Sequence, residues 1–546
     1  MDRFAASQQA FRRVFTNRNV RKLQIAAVGS SLGNWAYAVA LPVYAYQAGG
    51  ARAVGLLFFT RFLCASLAAP WLGVAADRWS RRRLMLSADI VRAGLCGGMT
   101  AVAVAGGSAY IVYLLAVLSS IAAVAYAPAQ GALLPLLVET PDELTAANVV
   151  SNTISSLGLF VGPALGGVLL AVSGPAAVFA FSGALLVWSA AFVLQIPRDE
   201  PPERSERPRF LPELTAGFAA VLRRPALRVI IGLTGAQTLT SGALEVLLVV
   251  LAINLIHSGS AGVGWLNAAI GIGSIAGAFV VAAVAARRRL ATGFALGILV
   301  SVLPLVLAAA VSTLAPALIL FGIIGVGSVL VEVGGLTLLQ RSAENEVLGR
   351  VLAVQEAVIL GALAVGSLAG AGLVVWLGAK DAFVVTGVSI VVLLVPLWPS
   401  LLRIDAEAVI PEEPLELLRR IAMFAQLEEP VLERLAGGAT SVSTLAGQVV
   451  VARGEAGNHF YVIAAGQAVV ELDGGATRDL GPGDFFGEIA LLRDVPRTAT
   501  VRAVEPLRLY AVQRDEFLAA VTGHAPTLAA AENIVVSRLP AGALPG

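Results

Sequence analysis

The chain has 546 residues, of which 57% are apolar and only 14% charged. Soluble domains carry about a quarter charged residues, so a wholly soluble protein is excluded, and a net charge of +2 excludes a chain built around nucleic acid. Cys64 and Cys96 both sit in apolar runs, which excludes a disulfide-stapled scaffold.

Residues 1–22 are polar and basic, and the apolar run after them is too long for a signal peptide. They read as a cytosolic N-terminal segment. A membrane span needs about 20 apolar residues to cross roughly 30 Å of hydrocarbon. About twelve such runs follow, with cores at 23–48, 54–75, 84–105, 109–134, 147–172, 176–196, 227–255, 262–286, 290–311, 315–338, 351–376 and 380–402. Basic residues cluster before the first run and after the second, sixth, eighth and tenth, for instance Arg81, Arg82 and Arg83 and again Arg287, Arg288 and Arg289. Short cytoplasmic loops carry such excess, so both termini are expected in the cytosol of a multi-pass cell-membrane protein. The polar stretch 197–226 divides the spans into halves 23–196 and 227–402.

Charges inside the spans are costly in lipid unless paired or hydrated, so each is a candidate for function. Asp89 and Arg92 are three residues apart in the third run and are expected to pair along one helix face. Arg61 and Glu245 lie at similar depth in opposite halves and are expected to approach across a central cavity. Glu332 and Glu356 are left unmatched. One of them is the candidate proton site; the bland alternative is a bond to backbone or to an Arg near the interface.

Beyond a linker at 403–414, charge returns to soluble density. Helical spacing covers 415–426 and 430–436. Short alternating segments at 448–452, 460–464, 468–472, 500–503 and 507–512 are separated by Gly-rich turns, and a helical stretch covers 514–539. This predicts a C-terminal β-roll with flanking helices over 415–546. Three scattered histidines (His257, His459, His524) and no metal-ligand spacing give no sign of an enzyme.

Two segments of the membrane part resemble signatures of the major facilitator superfamily. The second loop reads Gly73-Val-Ala-Ala-Asp77-Arg78-Trp-Ser-Arg81-Arg82-Arg83, similar to the family's loop signature. The fifth run carries Gly158-Leu-Phe-Val-Gly162-Pro163-Ala-Leu-Gly166-Gly167, similar to the motif of its drug and siderophore antiporters. The resemblance implies two six-helix halves and export of a small molecule. It gives Asp77 and Arg78 a gating role, although Arg81–Arg83 could serve topology alone. An Arg that the family often carries in the fourth span is missing here, so proton coupling does not transfer by motif.

In the C-terminal part, Gly483-Asp-Phe-Phe-Gly487-Glu488-Ile489-Ala490-Leu-Leu-Arg-Asp-Val-Pro-Arg497-Thr498-Ala-Thr-Val closely resembles the phosphate-binding cassette of cyclic-nucleotide-binding domains. By that resemblance, Arg497 and the backbone at Gly487, Ile489 and Ala490 receive the cyclic phosphate, and Glu488 takes the ribose 2′-hydroxyl. Arg suits the task because its planar fork donates two parallel bonds to an anion. The alternative is a degenerate cassette in which Glu488 and Arg497 merely pair. Thr498 leaves cAMP and cGMP both open, with cAMP favoured by the bacterial look of the composition. The whole reads as an exporter regulated by cyclic nucleotide. Two rivals are a non-transporting receptor or scaffold, and a transporter whose roll is a nucleotide-independent homodimerisation module. Cargo and coupling ion stay open.

Overall fold

The computed structural model describes residues 15–76, 79–138, 140–199, 210–285, 290–343, 345–407, 412–425, 427, 429–471, 476–522 and 525–538. The chain forms two compact units that divide between Asp405 and Ala406.

In the first unit, ten helices among the described residues are long and apolar enough to cross a membrane. Two of them hold two spans each. Arg18–Ala76 runs for 59 residues, about 90 Å if it were straight. It breaks at Gly49 and Gly50, where Gly50 takes φ 64°, a conformation that a side chain disfavours. The break is a reversal, because the Arg61 guanidinium sits 5.5 Å from the Tyr37 ring although 24 residues separate them in sequence. Pro141–Val193 breaks likewise at Gly174, ahead of Pro175. Its two arms both pack on the first span, through Gly162 against Ala36 and through Ser182 against Gly33. With these reversals the ten helices make twelve passes, matching the twelve apolar runs.

The remaining spans are Arg81–Val104, Ala109–Val124 continued by Tyr126–Leu133, Pro225–Val250 continued by a π-turn at Leu251–Leu255, Gly259–Ala285, Leu290–Ala308, Leu314–Ser342, Asn345–Leu377 and Ala379–Glu407. We number all twelve in chain order as spans 1 to 12. A further helix, Phe210–Arg223, lies in the stretch read from sequence as a plain linker.

A repeated cap ties each half together. After span 6, Asp199 accepts hydrogen bonds from Ser80 Oγ (2.8 Å), Arg81 N (2.6 Å) and Arg82 N (3.2 Å), closing the start of span 3. At the end of span 12, Asp405 accepts from Ala291 N (2.8 Å), Thr292 N (2.9 Å) and Thr292 Oγ1 (2.7 Å), closing the start of span 9. A carboxylate at a helix N-terminus satisfies orphan N–H groups and complements the helix dipole. The same device at equivalent places marks the two halves as repeats.

The second unit opens with helices Glu412–Arg420 and Glu429–Gly438. Among the described residues eight strands follow: β1 Thr440–Thr444, β2 Val449–Val451, β3 His459–Ala465, β4 Ala468–Glu471, β5 Thr477–Leu480, β6 Phe485–Phe486, β7 Thr500–Ala503 and β8 Leu507–Gln513. They make two antiparallel four-stranded sheets, ordered β1-β8-β3-β6 and β2-β7-β4-β5. Ile463, Leu480, Phe486, Val501 and Leu509 fill the space between them. A second core of Phe424, Phe460 and Phe517 joins the flanking helices to the roll. The closing helical stretch is two helices, Arg514–Thr522 and Ala525–Arg538.

Candidate functional site

Between β6 and β7 the chain makes one short helix, Glu488–Arg493. Gly487 precedes it at φ 95°, and a Cβ there would run into the Arg497 guanidinium and the His459 carbonyl. Glycine is therefore required both by conformation and by space. The strand side of the cassette is pinned to the preceding turn, with Arg497 N donating to Glu455 O at 2.8 Å and Gly454 N donating to Arg497 O at 2.9 Å.

Gly487, Glu488, Ile489, Ala490, Arg497 and Thr498 all line one cavity of about 800 Å³, within the range of small-ligand pockets. Arg497 is 6% exposed. Its Nη1 donates to Gly487 O at 3.0 Å and its Nη2 to His459 O at 2.7 Å. Among the described residues no carboxylate pairs with it. Burial pulls Arg497 below its ordinary pKa, against the opposing influence of Tyr461, Glu488 and Glu455. The cavity thus holds a desolvated cation without a counter-ion.

Glu488 is 2% exposed. It does not pair with Arg497, as a degenerate cassette would have it. Its Oε1 accepts from Arg538 Nη1 at 2.8 Å, while its Oε2 is buried without a partner. Arg538, in the last turn of the C-terminal helix, also donates to Phe485 O at 2.9 Å and lies 4.1 Å over the Phe485 ring. Sequence reasoning missed Arg538, together with Arg453 and Arg478, which line the same cavity. The only advance signal for Arg538 was a basic residue in a final helical turn.

In the membrane unit, Asp77 and Arg78 lie outside the described residues. Gly162 and Pro163 belong to a crossing of three helices. Gly162 and Gly166 leave room for Trp35 and Ala36 of span 1, and Gly167 meets Gly264 of span 8 backbone to backbone. Small residues permit such approaches. This joins the two halves at the end of the bundle that carries the Gly50 and Gly174 turns. A second join at that end sets Gly55 of span 2 against Ser367 and Ala371 of span 11.

The expected Asp89–Arg92 ion pair is not made. Asp89 Oδ2 accepts from Ser189 Oγ of span 6 at 2.6 Å, and Arg92 Nη2 donates to Asn34 Oδ1 of span 1 at 2.8 Å. Helical spacing makes residues three apart neighbours, but each side chain found a partner on another span. Arg61 donates from Nε to Ser120 Oγ at 2.8 Å and lies over the Phe58 and Tyr37 rings. It acts on Glu245 electrostatically without forming an ion pair. Glu332 and Glu356 are exposed and have no bonding partner among the described residues. Glu356 lies three turns along from Ser367 on the same helix face, where that face is no longer covered.

The chain's similarities to known proteins divide along the same line. The family model described as Major Facilitator Superfamily matches residues 23–359, and that described as Cyclic nucleotide-binding domain matches residues 442–524. The chain is similar to the cAMP-dependent protein kinase regulatory subunit of Yarrowia lipolytica, 37% identical over 102 residues, covering 18% of this chain and 27% of that protein. The corresponding subunit of Blastocladiella emersonii is 38% identical over 96 residues, covering 17% and 24%. The chain thus spans about a quarter of the length of the curated relatives it matches. Among solved structures, the regulatory domain of Toxoplasma gondii PKA with cAMP matches at 32% identity and TM-score 0.19, over 20% of this chain and 43% of that one.

Proposed function

The chain belongs to the major facilitator superfamily, and from that premise we propose that it is a secondary-active exporter of small molecules whose transport is controlled by a cyclic nucleotide held in the C-terminal roll. The observation that carries the regulatory half is the pairing of two unmet groups in one cavity. A buried Arg497 lacks an anion, and a buried Glu488 has one oxygen lacking a donor. A cyclic nucleotide supplies both, through its phosphate and its ribose hydroxyl. Arg497 would receive the phosphate, and Glu488 Oε2 the 2′-hydroxyl.

With both termini in the cytosol, the closed end of the bundle faces outward and the exposed Glu332 and Glu356 face the cytosol. The described state is then inward-facing, ready to load cargo. The nucleotide influences transport only if it binds one such state better than the other.

The named relatives are cAMP-dependent, which favours cAMP here. A second reading is favoured by the cavity wall, where Arg478 and Thr498 contribute donors. Guanine offers two adjacent acceptors on its outer edge, while adenine offers an acceptor and a donor. Donor-rich walls suit cGMP. Calorimetry on the full chain in detergent, with both nucleotides and with Arg497→Ala as control, tests the proposal. Binding of either nucleotide that vanishes in Arg497→Ala supports it, and the tighter ligand decides the base. Absence of binding to the wild type removes the regulatory function.

A further inference from the structure

Polar side chains from four elements of the N-terminal half converge in its interior. Asp89 is 0% exposed and Arg92 5%. Asp89 Oδ2 takes its hydrogen bond from Ser189 Oγ, which lies 3.3 Å from Tyr126 OH. Arg92 is held by Asn34. Four buried polar atoms in this region have no partner: Asp89 Oδ1, Arg92 Nε, Tyr37 OH and Ser182 Oγ. The groups that bear on Asp89 are Ser30 from span 1, Arg92 from its own span, Tyr126 from the fourth and Ser189 from the sixth, with Asn34 of span 1 linked to it only through Arg92. Of these, Arg92 and Tyr126 are the charged or titratable ones.

An ionised carboxylate buried with one bare oxygen, beside a guanidinium engaged elsewhere, is an expensive arrangement in a membrane interior. The same atoms suit a neutral Asp89, which needs no counter-ion. Asp89 and Arg92 also stand one turn apart on one helix face, so a rotation of the Arg92 side chain would bring it to the carboxylate. Asn34, the present partner of Arg92, is exposed, so the network reaches accessible surface at that residue.

We propose that Asp89 is the proton-binding group of the transporter, that Arg92 is its switch, and that Asn34 is where the network meets water. In the protonated state Asp89 is neutral and Arg92 rests on Asn34, as described. On deprotonation the proton leaves the Asp89 carboxyl for water at Asn34, and Arg92 leaves Asn34 to pair with the carboxylate. Charge is conserved within the dyad apart from the one proton released. The assignment rests on the transport reading. It moves the proton site from Glu332 and Glu356, which stand exposed, to a residue enclosed by four elements.

The test is infrared difference spectroscopy of the full chain reconstituted in liposomes, titrated with acid and base. The wild type should show the carbonyl band of a protonated carboxyl persisting to neutral pH. Measured in a Glu245→Gln background, which removes the inward-lying carboxyl of span 7, Asp89→Asn should abolish that band, while Glu332→Gln and Glu356→Gln should keep it. Arg92→Gln removes the cation that stabilises the anion, so the band should persist to higher pH. That second variant serves if Asp89→Asn does not fold. A band that survives Asp89→Asn, or one that does not shift in Arg92→Gln, overturns the proposal. A transport arm uses ethidium as probe. Asp89→Asn should lose accumulation driven by a pH gradient and keep ethidium exchange at equal pH. Because the spectroscopic arm needs no cargo, a wild type that moves no ethidium counts against that cargo and leaves the Asp89 result standing.

Discussion

The sharpest consequence of the cavity concerns the unpartnered Oε2 of Glu488. If this oxygen waits for a ribose hydroxyl, its worth is measurable by removing either partner. A hydrogen bond to a charged group contributes roughly 1.5–3 kcal/mol net. At about 1.4 kcal/mol per decade, the wild type should bind a 2′-deoxy cyclic nucleotide about ten- to a hundredfold more weakly than its ribose parent. Glu488→Gln is the informative partner variant. Its amide oxygen can still accept from Arg538, so the C-terminal helix keeps its anchor, while the acceptor charge is gone. In that variant the deoxy penalty should shrink to that of a neutral bond, roughly 0.5–1.5 kcal/mol or a factor of about three to ten. Titration calorimetry of the four combinations gives the coupling as a double-mutant cycle. Equal affinities of the wild type for ribose and deoxy ligands would refute the role given to Glu488.

Arg497→Lys keeps the charge and loses the fork, so nucleotide affinity should fall at least about tenfold while the fold persists, as read by calorimetry and circular dichroism. Asp199→Ala and Asp405→Ala should each destabilise the membrane unit by about 1 kcal/mol, visible as similar drops in thermal midpoint; a large effect from one and none from the other would deny the repeat. Glu413 accepts from Tyr510 OH at 2.7 Å and from both Arg508 Nη atoms, and these bonds hold its carboxyl below the usual range. The anchor of the first roll helix is therefore present at neutral pH and lost as pH falls through that lowered pKa. Amide exchange in 412–420 should speed up on acidification, and Glu413→Gln should make it fast at all pH values.

Hydropathy made the spans legible because each pass is a long apolar run, and the gaps read between 48 and 54 and between 172 and 176 are where Gly49, Gly50 and Gly174 leave helical conformation. The cassette was legible because its residues are consecutive and bear their chemistry on their sleeves of sequence. What sequence hid was long-range. Asp199 reaches residues more than a hundred positions away, and nothing local distinguishes it from the other acids of that polar stretch. Asp89 and Arg92 looked like a pair because spacing reports only neighbours on one helix, not rivals on the next. The strand Thr477–Leu480 shows one buried residue in four, so no alternation announces it, and Phe485–Phe486 is too short for any pattern. Arg538 joins the site only because its helix folds back over the cassette.

The claim at the centre of this account is that one nucleotide site senses one transporter state. Cysteine pairs that lock the bundle inward-closed or outward-closed, followed by nucleotide titration of each locked form by calorimetry, measure this directly. The account predicts affinities that differ severalfold or more between the two forms; equal affinities would contradict it.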